Sequence, residues 1–154
     1  MSAVTYRFCC AGCGERFNAP EVPEFSYGLF VLRSENSDYA AFLDAFNDAA
    51  FLESYEIVKT NRCVLDMRDE QKGEIQQRVF CVVCDPDPDG HPLKIGLAPR
   101  CPSCGCRSMA TWEQIDPSRP WPLPLVGHER WNVLTKQQKV DLVDQTIRAI
   151  SARP

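Results

Sequence analysis

Three Cys-x-x-Cys pairs, Cys10/Cys13, Cys81/Cys84 and Cys101/Cys104, constrain this chain more than any other feature. Two thiols with two residues between them sit on one tight turn and reach a common ion, so such pairs are ready metal ligands. The turn closes best when the next residue takes a positive φ, which glycine does without strain. Gly14 follows Cys13 and Gly105 follows Cys104, whereas Asp85 follows Cys84. Phe8 and Phe17 flank the first pair and can cover it. Nine cysteines with no export-type apolar leader point to a reducing compartment, the cytoplasm, and to metal or redox chemistry in preference to disulfides.

The six paired thiols do not divide into sites of four. Turn chemistry joins the outer pairs, Cys10, Cys13, Cys101 and Cys104, across the whole of residues 14–100. Spacing joins the last two, because Cys81-x2-Cys84-x16-Cys101-x2-Cys104 falls within the usual four-cysteine pattern. We rank the outer set first, the Cys81/Cys84/Cys101/Cys104 set second, and one site ahead of two. A second site would need ligands from Cys9, Cys63, Cys106 or His91. Singly, these cysteines read as small buried hydrophobes or bystanders.

At residues 6–17 and 98–106 the chain resembles the zinc-ribbon, or rubredoxin-like, proteins. The resemblance implies zinc held by four thiolates and says little about function, because ribbons serve many tasks. Four thiolates leave no open coordination position for water, so the implied zinc is structural.

Other motifs are weaker. Cys101-Pro102-Ser103-Cys104 has the form of a thiol–disulfide redox motif, which needs a following helix N-terminus to lower the thiol pKa. Gly105 is a poor helix start, although a helix over 108–115 would supply one. Asp85-Pro86-Asp87-Pro88-Asp89-Gly90 matches the opening of an EF-hand loop, but Gly96 stands where the bidentate glutamate belongs. A polar turn at Asp89-Gly90 is the better reading. His128, just before the last helix, reads as packing or surface.

The elements follow from periodicity and breakers. Residues 5–18 read as strand, turn, strand, and Gly28–Arg33 as a buried strand. Tyr39, Phe42, Leu43 and Phe46 at i, i+3, i+4 and i+7 predict a helix over 38–54 capped by Ser37. Cys63-Val64-Leu65 predicts a strand, and Ile75–Val83 reads as a strand in preference to a helix, whose face Ile75, Val79 and Val82 would also fit. Four prolines in 116–125 predict an extended polyproline connector packed through Trp121. Thr135 and Gln138 form a capping box for a helix over 136–151, whose stripe of Val140, Val143, Ile147 and Ile150 docks on the body or on a second copy.

Together these predict an α+β fold: a zinc-ribbon element with a large inserted strand–helix unit, residues 19–97, and a C-terminal docking helix. The expected units are residues 1–112 and, packed on the same domain, the connector and helix of 113–154. A net charge of −4, falling to about −6 with one tetrathiolate zinc, disfavours nucleic acid as the main ligand. No segment reads as a transmembrane span. The resulting expectation is a small cytoplasmic zinc-binding protein that binds another protein, as an adaptor, inhibitor or immunity-type partner, with the absence of a catalytic motif leaning against an enzyme without excluding one. A nucleic-acid-associated ribbon and a redox protein using Cys101 and Cys104 are the alternatives.

Overall fold

A computed structural model describes residues 2–152; residues 1, 153 and 154 of the two expected units lie outside the described residues. The α+β class is observed: two antiparallel three-stranded sheets and a helical layer. The first sheet has β1 (Ala3–Cys10) at its centre, β2 (Arg16–Glu21) on one side and β6 (Met109–Trp121) on the other. The second has β3 (Leu29–Ser34) between β4 (Ala40–Asp44) and β5 (Leu93–Ile95). The helices are α1 (Ala49–Thr60), α2 (Asp69–Val83), the short α3 (Glu129–Asn132) and α4 (Lys136–Ser151).

The second sheet is buried on both faces, which explains its apolar runs. Leu32, Ala41 and Leu43 point into the main core with Val58 of α1, Val79, Phe80 and Val83 of α2, and Val143 and Ile147 of α4. Their neighbours Leu29, Val31 and Phe42 point the other way, against Ala3 of β1 and the partly buried Trp121. Phe80 is fully buried, and truncating a ring in such a place typically costs about 3–5 kcal/mol.

Two-sided burial also corrects the helix expected over 38–54. Residues 40–44 are strand β4, paired with β3 through Val31↔Phe42 and Leu32↔Ala41. A short 3-10 turn follows, and the helix starts at Ala49. Asp48, not Ser37, caps it, accepting from the Phe51 N–H at 2.8 Å. The strand expected over Ile75–Val83 is instead the end of α2, whose buried residues Gln76, Val79, Phe80 and Val83 fall at i, i+3, i+4 and i+7. Residues 62–66, expected to hold a strand, form turns around the buried Val64.

The proline-rich segment is also not a connector throughout. Residues 116–121 continue β6 and pair with β1, from Thr5↔Asp116 to Ala3↔Trp121, through a register shift between Val4 and Thr5. Prolines are tolerated there because β6 is an edge strand. Beyond it the chain crosses β4, with a bond from the Phe42 N–H to Pro124 O at 2.8 Å. The Thr135–Gln138 capping box of α4 forms as expected, with bonds of 3.1 and 2.8 Å. α4 docks on α1 and α2. Trp131 of α3 is fully buried and donates its indole N–H to Glu53 at 2.7 Å.

Candidate metal centre

The antiparallel register of β1 and β6 assembles the site. Cys10, the last residue of β1, stands opposite Met109, the first of β6. The turn leaving β1 and the loop entering β6 therefore meet at one end of the first sheet. A bond from the Ala11 N–H to Ser108 O, 2.9 Å, ties them.

The two turns have the same internal bonding. The Cys10 N–H donates to Glu15 O (2.9 Å) and the Gly14 N–H to Cys10 O (3.0 Å). In the second turn the Cys101 N–H donates to Cys106 O (2.8 Å) and the Gly105 N–H to Cys101 O (2.9 Å). Gly14 and Gly105 adopt φ of 77° and 75°, the left-handed conformation each turn requires.

The sulfurs of Cys10, Cys13, Cys101 and Cys104 all lie within 4.8 Å of one another. Cys10 and Cys104 are 3.5 Å apart, and Cys13 and Cys101 3.6 Å. A tetrahedral ion with metal–sulfur bonds of about 2.3 Å holds its ligands about 3.8 Å apart. The four thiols thus fit such an ion, and no disulfide forms among the described residues. Cys10 and Cys101 are buried, while Cys13 and Cys104 face solvent.

Ionisation of the four thiols is unequal. The Cys13 backbone N–H, joined by that of Gly12 at 3.3 Å, holds the Cys10 thiol down at about 6. Cys104 also receives a lowering backbone bond, from the Cys106 N–H, but crowding by Cys10, burial and the other thiols push it up to about 12. Four thiols this close cannot all ionise unless a cation joins them.

The structure does not bring the remaining candidates into this cluster. Cys81 and Cys84 lie at the end of α2 and belong to no ligand cluster among the described residues. Cys81 donates to Arg78 O at 3.2 Å. Cys84 is fully buried, and burial pushes its thiol up to about 12. Cys63 is exposed on a turn. Cys9 and Cys106 sit beside the knuckles, bonded to Gly14 O and the Ser108 N–H respectively. His91 falls with Asp87 and Asp89, whose ligand atoms lie within 4.8 Å of it. There the Asp87 carboxylate accepts the N–H groups of Asp89 and His91, both at 2.9 Å, and closes its own turn.

The Cys101–Cys104 turn leads into a loop and then strand β6, in keeping with the poor helix start at Gly105, so no helix follows its thiols. One further point departs from sequence expectation. His128 is not a lone residue: its Nε2 lies 2.6 Å from Asp48, joining the segment before α3 to the cap of α1. Eighty positions separate that pair, and no local pattern announces it. In comparisons with known proteins, the chain matches no family model, no curated protein and no solved structure.

Proposed function

We propose that this is a small zinc-binding protein in which Cys10, Cys13, Cys101 and Cys104 hold one structural zinc, and that its task is to bind another protein. The convergence of four thiols from two matching turns carries the reading. Four protein ligands fill a tetrahedral ion and leave no site for hydrolytic water. Zinc suits an all-thiolate set, and the thiols stay available in a reducing compartment, so the cytoplasm fits. A binding role is supported by aromatic rings held in solvent. Phe25 is 95% exposed and Tyr27 87% exposed. Phe25 also adopts φ of 59°, a conformation costing about 1–2 kcal/mol for an L-residue.

Native mass spectrometry with and without a chelator tests the metal reading. One zinc is expected, lost on chelation and absent from Cys101→Ser, but retained in Cys84→Ser. Zinc retained in Cys101→Ser and lost in Cys84→Ser would refute the assignment. The binding role is tested by co-purification and cross-linking: a Phe25→Ala/Tyr27→Ala variant should lose a partner that the unaltered protein retains. A strictly monomeric protein with no recoverable partner would count against it.

A further inference from the structure

Beside the thiol cluster lies a cavity of about 260 Å³ whose wall contains no cysteine. Three guanidiniums line it: Arg33 from β3, Arg100 just before Cys101, and Arg107 just after Cys106. Arg33 has only 6% of its side chain exposed, so the cavity contains a built, buried charge. Tyr39, Trp121 and Leu123 supply much of the apolar wall.

Among the described residues, two of the three arginines have a carboxylate partner. Arg33 pairs with Glu21 at 3.2 Å and also donates to Leu97 O (2.8 Å) and Pro20 O. Arg100 pairs with Asp38 at 3.1 Å. Among the described residues, Arg107 hydrogen-bonds only backbone carbonyls, those of Ala98 (2.8 Å), Ser34 (2.6 Å) and Ser37 (3.4 Å). The acids that reach it through space, Asp38 and Glu35, are engaged with Arg100 and with Lys94. Burial, and after it the charges of Arg100 and Arg33, pull Arg107 below the ordinary arginine value.

We propose that this cavity binds a carboxylate carried on an apolar or aromatic body. Arg100 and Arg107 meet the carboxylate, and Tyr39, Trp121 and Leu123 hold the body. The forked guanidinium geometry suits the two oxygens of a carboxylate. The Arg100–Asp38 pair is no obstacle. Asp38 is 81% exposed, and an ion pair in that setting is weak enough to open. A peptide carboxyl terminus and a small aryl acid share this chemistry.

The test is a two-dimensional NMR titration of metal-loaded protein with N-acetylphenylalanine, its carboxamide, phenylacetate and inorganic phosphate. The two acids should shift the Arg100 and Arg107 side-chain N–H signals and the Trp121 indole signal, while the amide and phosphate leave them in place. Tighter binding of N-acetylphenylalanine identifies a peptide terminus as the source, and tighter phenylacetate a small acid; either order supports the proposal. Equal binding of acid and amide, binding of phosphate alone, or no shift by either acid at about 10 mM overturns it. Arg107→Gln should weaken the acids about tenfold or more. Arg107 also ties backbone segments together, so two surface variants guard the conclusion. Arg100→Gln should weaken binding and Asp38→Asn should strengthen it; unchanged affinity in both refutes the proposal. Pro102 of the wall lies inside the second knuckle, so the titration uses metal-loaded protein, and its readout is separate from the zinc count.

Discussion

Removing the metal from the proposed tetrathiolate centre should destabilise the protein by an amount that the chain path sets. Cys13 and Cys101 are 88 positions apart, so the ion closes a loop of that length. Treated as a covalent cross-link, such a closure removes about 15 cal/mol/K from the unfolded chain, about 4.6 kcal/mol at 25 °C. Domains of this size hold about 5–15 kcal/mol in total. The stripped protein should therefore remain folded at 25 °C but melt roughly 10–20 °C lower. It stays folded because the main core, from Leu32 and Leu43 through Phe80 to Ile147, uses none of the four thiols. Circular dichroism melts of loaded, chelator-stripped and Cys101→Ser protein provide the assay, with the last two expected to coincide. A stripped protein that melts within about 2 °C of the loaded one would refute the cross-link argument. Complete unfolding of stripped protein at 25 °C would refute it from the opposite side, since the metal would then be creating the fold outright.

Three further outcomes are expected. Burial alone would raise the Asp87 carboxyl, but bonds from Ser34 and from the His91 and Asp89 N–H groups hold it at about 2; its depressed value means its stabilising contribution is complete above the ordinary 3.8 and is lost as pH falls towards 2. Acid titration of Asp87→Asn should lack that loss, and an identical acid limb in variant and parent would contradict the assignment. Gly28 has φ of 70°, and a Cβ there would overlap the Phe46 ring. Gly28→Ala should destabilise in urea titrations, and Gly28→Ala/Phe46→Ala should retain only the backbone part, about 1–2 kcal/mol. Finally, iodoacetamide on the native protein should label exposed Cys63 and spare Cys84, which is buried and unionised; mass mapping that finds Cys84 labelled first would oppose this burial.

The sequence discloses local features of this fold and hides its pairings. Both knuckles, the β1–β2 hairpin, strand β3 and helix α4 carry their signals within a few residues: Gly14 and Gly105, the β3 apolar run, and the Thr135–Gln138 box. Strand β4 was obscured because both its faces are buried. Phe42 and Leu43 are apolar neighbours serving opposite layers, and with Tyr39 and Phe46 they mimic a helical stripe. Helix α2 was obscured by Gln76, a polar residue within its buried stripe that donates to Phe51 O and Ser54 Oγ at 3.1 and 2.9 Å. The choice among cysteine pairs depends on β1 lying beside β6, a contact between distant segments that spacing cannot encode. Turn chemistry did rank the observed set first, because the same glycine closes each knuckle.

The path of β1 has a consequence for biosynthesis. A ribosome adds about 5–20 residues per second. Cys10 and Cys13 therefore emerge roughly five to twenty seconds before Cys101 and Cys104 reach the same point, given the 88-position gap. During that interval β1 has β2 beside it but not β6, and the first knuckle offers a metal only half its ligands. Helices α1 and α2 are made within the same interval. The four thiols can therefore come together only after the segment between the knuckles has been made.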